Sequence, residues 1–337
     1  MKKRVLLPVL LILAGLLYYV DIDLDALTAN LINEEQPIES YVGDTGDVQV
    51  YFCPHQNCEE ALLNFIDSAE ESLHCAFFEV DLDLIRDKLL EKERLIDVKV
   101  ITDNDYLYEF NHPFVKNDSW GLMHNKFCIV DGKKVSTGSM NPTNNGADKN
   151  NNNLLLINSV ALANNYQAEF QEMWNGTYKK GDNVLNPNIM IDDIGVENYF
   201  CPEDDCADHV KEELNKATSS IHFMTFSFTH DGIANILLLK NLDNISIKGI
   251  FEARQVSKYS KYMVLKNNNV DVVKDGNKAN MHHKVFIIDS DTVITGSFNP
   301  SAGGDTRNDE NLLIIRDFNI ASLFMEEFEK VWDERKE

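Results

Sequence analysis

Hydrophobic and polar positions follow the same succession of rhythms twice along the chain. A short alternating pattern, VQVYF at 48–52, leads into a Cys-Pro turn, an acidic helix start and an amphipathic stretch near 58–71. Apolar runs follow as SLHCAFFEV (72–80) and VKVIT (98–102), then the hairpin MHNKFCIVDGKKVSTGSMNPT (123–143). A helix carrying Phe170 and Trp174 closes the unit, and these two are expected as core anchors. The succession returns as ENYF (197–200), a helix near 206–218, SIHFMTFSF (220–228), IKGIF (247–251) and MHHKVFIIDSDTVITGSFNPS (281–301). Phe328 and Trp332 occupy the matching positions of the last helix. The apolar runs are nearly continuous rather than alternating, which suits strands covered on both faces in an α/β sandwich.

Two copies of one unit therefore predict two α/β sandwich lobes related by a pseudo-two-fold. The boundaries are a hydrophobic segment at 1–20, an acidic spacer at 21–46, a first repeat at 47–180, a linker at 181–196 and a second repeat at 197–337. Gly176, Gly181, Pro187 and Gly195 punctuate the junction. The second copy carries a longer connection, RQVSKYSKYMVLKNNNVDVVKDGNKAN (254–280). Its Lys258, Lys261, Lys266 and Lys274, with Tyr259 and Tyr262, read as a solvated amphipathic helix or as a groove on which nucleic-acid bases stack.

Composition and charge narrow the partners. The 337 residues are 44% hydrophobic, enough for a substantial core. Asp plus Glu number 55 against 31 Lys plus Arg, a formal charge of −24 that repels polyanions at long range. Phosphate chemistry must then rely on a local cluster of cations. Lys2, Lys3 and Arg4 precede an apolar run, Val5–Val20, shorter than the roughly twenty residues of a usual spanning helix. An N-terminal hydrophobic helix acting as a signal anchor is expected, well ahead of a buried core helix, with a cleaved signal peptide as the main alternative. Either places the remainder outside the cytoplasm, membrane-anchored or secreted. Cys53 and Cys58 in YFCPHQNC recur as Cys201 and Cys206 in YFCPEDDC. In an exported chain these read first as two local disulfides, with a shared zinc site or free thiols left open. Cys75 and Cys128 sit singly in apolar runs and read as small core residues.

The hairpins carry the candidate chemistry. Residues two apart in a strand share a face, so His124 with Lys126, and His282 with Lys284, each present an imidazole beside an ammonium. Ser139 with Asn141, and Ser297 with Asn299, share a face on the returning strands. Gly138 and Gly296 allow a ligand or backbone to come close. Asp131 and Asp289 fall where turns are expected and read as turn-forming or orienting residues. Two copies facing each other supply two imidazoles, two cations and two amides around one phosphate. Lysines and asparagines can hold the non-bridging oxygens, one His can attack phosphorus and the other can protonate the leaving oxygen. No carboxylate cluster of metal-ligand character accompanies the motifs, so neither a catalytic metal nor another cofactor is expected.

The pattern HxKxxxxDxxxxxxGSxN, present as His124, Lys126, Asp131, Gly138, Ser139, Asn141 and again as His282, Lys284, Asp289, Gly296, Ser297, Asn299, resembles the HKD signature of the phospholipase D superfamily. That resemblance implies a two-lobed α/β fold with a shared active site, a phosphohistidine intermediate and metal-independent phosphodiester cleavage or transfer. Unit size and the YFCP segment are most similar to the small nuclease and mitochondrial cardiolipin hydrolase branch. In that branch a Glu after GSxN hydrogen-bonds the His. Here the second copy has Glu310 in RNDENLLII, whereas the first has Asn152 in KNNNNLLLI. Paired within each copy, Glu310 would favour a protonated His282 as general acid, and Asn152 a neutral His124 as nucleophile.

Four readings share this site. A membrane-tethered phospholipase D-type phosphodiesterase acting on phospholipid headgroups leads, since the hydrophobic N-terminus would keep the cleft near a phospholipid membrane. An extracytoplasmic endonuclease on single-stranded DNA or RNA is the alternative, disfavoured by the acidic balance. A phosphatidyltransferase would use the same residues, and a phosphate-binding module without turnover is the non-enzymatic reading. None implies an obligate protein partner.

Overall fold

The computed structural model describes residues 40–335. The hydrophobic segment at 1–20 and most of the spacer lie outside them. Among the described residues no helix is long and apolar enough to cross a membrane.

The first half runs β1 (Val42–Asp44), β2 (Asp47–Cys53), α1 (Cys58–Asp67), β3 (Ser72–Phe77), α2 (Asp83–Glu93), β4 (Asp97–Thr102), β5 (Val115–Asn117), β6 (Leu122–Met123), β7 (Lys126–Val130), β8 (Lys134–Gly138), α3 (Asn144–Asp148), β9 (Asn152–Asn158) and α4 (Val160–Trp174). The second runs β10 (Asn188–Ile191), β11 (Ile194–Cys201), α5 (Cys206–Lys216), β12 (Ser220–Thr225), α6 (Asp231–Leu242), β13 (Ser246–Phe251), α7 (Tyr262–Asn267), β14 (Asp271–Lys274), β15 (Lys284–Ile288), β16 (Thr292–Gly296), α8 (Ala302–Thr306), β17 (Asn308–Arg316) and α9 (Phe318–Asp333). One sheet has the order β2-β9-β8-β7-β3-β4-β5, and the other contains the matching order β11-β17-β16-β15-β12-β13-β14. The duplicated hydrophobic pattern has thus produced duplicated topology. The segments read as spacer and linker are not wholly connections: β1 pairs in parallel with β10, which pairs with β11, so both add to the edge of the second sheet.

The core is layered. Ile129, Ile157, Phe170, Ile287, Ile315, Phe324 and Phe328 belong to one buried cluster drawing on both repeats, with α4 and α9 against the sheets. Two further clusters cover the opposite faces, one with Leu62, Ile66, Ile85 and Leu89 from α1 and α2, the other with Val210, Leu214, Ile233 and Leu237 from α5 and α6. Helix on both faces explains why β3, β7, β12 and β15 are apolar almost throughout. Ser159 and Asp317 cap α4 and α9 by accepting the amides of Leu162 and Ile320.

Three disulfides are present. Cys53–Cys58 and Cys201–Cys206 tie the end of each leading strand to the following helix, as read first from the sequence. Cys75–Cys128 is a correction: the two are not isolated core thiols but a cross-strand bridge. Antiparallel pairing of β3 with β7 sets Cys75 directly opposite Cys128, with Cα atoms 4.0 Å apart. That register is a tertiary fact that neither apolar run encodes alone.

Candidate active site

Each HxK segment lies against the other repeat. β6 pairs in parallel with β17, matching Leu122 to Asn308 and Met123 to Asp309, and His124 N donates to Asp309 O at 2.9 Å. The mirror arrangement bridges Met281 to Asn151, and His282 N donates to Asn151 O at 2.8 Å. One residue further along, His124 meets Glu310 and His282 meets Asn152. His124 Nδ1 lies 2.7 Å from Glu310 Oε2, and His282 Nδ1 lies 2.9 Å from Asn152 Oδ1 and 3.1 Å from Ser139 O. The within-copy pairing of Glu310 with His282 is therefore corrected. The carboxylate backs the first histidine and the amide the second, because the motif strands are exchanged between repeats.

The surrounding groups repeat on both sides. Lys126 Nζ donates to His124 O at 2.5 Å and Lys284 Nζ to His282 O at 2.8 Å. The ammonium of Lys126 sits 5.1 Å from the Phe78 ring centroid and that of Lys284 5.0 Å from Phe226. The same phenylalanines stand edge-on to His124 and His282, at 5.0 and 4.6 Å. His124, His282, Asn141 and Asn299 line one cleft of about 490 Å³. The Oδ1 atoms of Asn141 and Asn299 are buried without a hydrogen-bond partner among the described residues.

Ser139 and Ser297 act on the backing groups. Ser139 Oγ donates to Asn152 Oδ1 at 3.1 Å, Asn152 Nδ2 donates to Gly146 O at 2.9 Å, and a Ser297 hydrogen bond helps hold the Glu310 carboxylate. Gly138 and Gly296 have φ of 132° and 136°, and an added Cβ would fall 2.5 Å from Asn153 O and 2.3 Å from Asn311 O. What approaches these glycines is β9 or β17 backbone, not a ligand. Asp131 and Asp289 are turn residues with φ of 53° and 50°. Their carboxylates accept the amides of Glu70, Glu71 and Ser72, or of Thr218, Ser219 and Ser220, and so tie each hairpin turn to the loop before β3 or β12.

Burial sets the protonation states. It pulls both imidazoles well below their ordinary range, and the lysine charges add to the effect. It also brings Lys126 down to about 7 and holds Lys284 well below the ordinary lysine range, with the charge of Lys126 adding to the effect there. Burial raises Glu310 to about 7, opposed by Lys126 and by hydrogen bonds from Ser297 and Asn308. Loss of water thus favours the uncharged form of both members of the His124–Glu310 pair. Once Glu310 is ionised, it accepts Nδ1–H and leaves the Nε2 lone pair of His124 free for the cleft.

Sequence reasoning missed Phe78 and Phe226, although they occupy identical positions in the aligned repeats. It also missed the asymmetry at the next position, where the first copy has Glu79 and the second Ser227, both on the cleft lining. Burial and the neighbouring Glu109 and Asp81 carry Glu79 up to about 7, with Lys126 opposing. The seam residues Asn153 and Asn311 were likewise overlooked. Asn311 Nδ2 donates to Asn125 Oδ1 at 2.8 Å and Thr295 Oγ1 to Asn153 Oδ1 at 3.1 Å, joining the repeats beneath the cleft.

Two imidazoles held through Nδ1, with no Nε2 hydrogen bond among the described residues and flanked by two ammoniums and two amides on a two-fold seam, define a phosphoryl-transfer site of the double-motif kind. The chain belongs to the phospholipase D-like family: the family described as "Cardiolipin synthase, PLD-like domain" matches residues 62–174 and again 210–332. It is a phosphodiesterase of that superfamily. A phospholipase D of Rickettsia typhi is 30% identical over 142 residues, covering 42% of this chain and 68% of that protein. A mitochondrial cardiolipin hydrolase of Xenopus tropicalis is 35% identical over 136 residues, covering 36% of this chain and 65% of that protein. Across both repeats the fold matches the solved phosphatidylserine synthase of Haemophilus influenzae Rd KW20, with a TM-score of 0.61, 13% identity and 85% of each chain covered.

Proposed function

We propose that the chain hydrolyses phospholipid headgroups by a two-step, metal-independent route through a phosphohistidine on His124. The observation that carries this reading is the exchanged backing, with a carboxylate on His124 and an amide on His282. His124 Nε2 attacks phosphorus and the bond to the leaving alcohol oxygen breaks, that oxygen taking a proton from His282 Nε2. Water then gives a proton back to His282 and attacks phosphorus, and the P–N bond breaks to return His124. The phosphorylated imidazole is cationic, and Glu310 at Nδ1 stabilises it where an amide would not. A phosphodiester anion between Lys126 and Lys284 offsets the charges that depress His282, so that this imidazole can take up the proton it donates. Lys126, Lys284, Asn141 and Asn299 hold the non-bridging oxygens.

Two features favour lipid over nucleic acid: the formal charge of −24 and relatives that are themselves named phospholipase D and cardiolipin hydrolase. Lys2, Lys3, Arg4 and the apolar run after them support a tether that keeps the cleft at a membrane surface, outside the cytoplasm, and three disulfides fit that compartment. The test is turnover by the full chain and by His124→Ala in excess EDTA, on mixed phospholipid vesicles and separately on single-stranded DNA and RNA. Lipid hydrolysis that falls by about 10³-fold or more in the variant is expected. Cleavage of nucleic acid alone would transfer the site to the endonuclease reading.

A further inference from the structure

The basic residues of the second copy's long connection do not form one stripe. Lys261 pairs with Asp231, and Lys258 lies out over the exposed Tyr259. Lys266 and Lys274 instead converge, their ammoniums 5.3 and 5.2 Å from the ring centroid of Tyr262. Lys266 Nζ donates to Tyr262 Oη at 2.9 Å, and among the described residues neither lysine has a carboxylate within ion-pair distance. With Arg335 they rim a cavity of about 540 Å³ whose remaining walls are Ala253, Met263 and Val273.

Arg335 pairs with Asp333 at 3.9 Å, but two converging lysines with no carboxylate partner among the described residues are unusual in a chain with 55 acidic residues against 31 basic ones. The corresponding connection in the first copy is acidic, with Asp103, Asp105, Glu109 and Asp118. The cationic cluster is thus particular to the second copy. One short helical turn, Ala253–Gln255, separates it from the active site: Ala253 lines the cavity and Gln255 lines the catalytic cleft. Tyr259, Met263 and Val264 are exposed beside it. A cationic rim, an apolar wall and exposed apolar side chains suit an amphipathic anion better than a free one.

We propose that this cavity is a second binding site, distinct from the catalytic cleft, for the phosphate of an anionic phospholipid, with Lys266, Lys274 and Arg335 on the phosphate and the apolar wall against its glycerol and acyl carbons. It would hold the enzyme on anionic lipid while a different phosphodiester is in the cleft. The site goes beyond the hydrolytic reading and is tested without turnover.

The experiment uses the full chain in neutral detergent, carrying His124→Ala to suppress hydrolysis and ¹³C-methyl labels on methionine. Dihexanoyl phosphatidylglycerol, dihexanoyl phosphatidylcholine and inorganic phosphate are titrated separately, and the Met263 methyl resonance reports the cavity. Phosphatidylglycerol is expected to shift Met263 with an affinity about tenfold or more above that for phosphatidylcholine, and Lys266→Gln with Lys274→Gln is expected to weaken it about as much. Lys266 is exposed and Lys274 half-buried, and the remaining methionine resonances verify that the doubly substituted chain is folded. An unmoved Met263, equal affinity for the two lipids, or no effect of the lysine substitutions would overturn the proposal. A shift with inorganic phosphate but not with phosphatidylglycerol would overturn the lipid assignment as well.

Discussion

Glu310 is the residue on which the two histidines differ. Ionised, it accepts Nδ1–H of His124 and frees Nε2; protonated, it donates to Nδ1 and places the imidazole proton on Nε2, where attack on phosphorus is blocked. Burial has raised it to about 7, so activity on a soluble phosphodiester should rise through that pH as the carboxylate forms. Glu310→Gln is expected to lower kcat by about 10²-fold, within the usual range for a group assisting a catalytic base or nucleophile. It should also remove the limb near pH 7 from the kcat/KM profile. A variant that keeps both the rate and the limb would mean that Glu310 does not govern the His124 tautomer. At this scale His, Lys, Ser and Asn were legible because each recurs at one spacing in two copies. The partner of Glu310 was not, since contact between repeats leaves no trace in the spacing within either one.

Among the elements, the hairpins β7–β8 and β15–β16 owe their placement to the aspartates of their turns. Asp289 accepts the amides of Thr218, Ser219 and Ser220 at 2.7 to 2.8 Å, and the hydroxyls of Thr218 and Ser219 at 2.8 Å. Burial raises its pKa, but these hydrogen bonds outweigh that and hold it far below the carboxylate range. A folded pKa below the unfolded value adds stability that is present above the unfolded pKa of 3.8 and is lost as pH falls through the folded one. Asp289→Asn is thus expected to destabilise by about 1–3 kcal/mol at pH 7, with the loss shrinking in acid, while kcat at a permissive temperature changes less than about threefold. Thermal melts at pH 7 and pH 3 check the first point, and a kcat loss as deep as that of His124→Ala would make the aspartate catalytic. The strands and helices were legible from their apolar rhythm. The Cys75–Cys128 bridge and the strand at 188–191 inside the linker were not, because both depend on which strand lies alongside.

Across the whole molecule, duplication explains how a chain this acidic assembles a phosphate site. Each repeat supplies one His, one Lys and one Asn, and the exchange of β6 and the 281–282 segment across the seam brings both sets to one cleft. The same exchange lets a single substitution, Glu where the other copy has Asn, give two otherwise equivalent histidines different partners, a carboxylate for His124 and an amide for His282. The charge balance and the doubled motif were plain in the sequence. The crossing was not, and it reverses which histidine the carboxylate serves.

The measurement that bears most directly on this account is a brief acid quench of the full chain turning over a ³²P-labelled phosphodiester, followed by peptide mapping of the labelled residue. Label on His124, lost in His124→Ala and diminished in Glu310→Gln, is the expected result. Label on His282 would contradict the assignment of roles, and no trapped label under conditions of rapid turnover would contradict the covalent route itself.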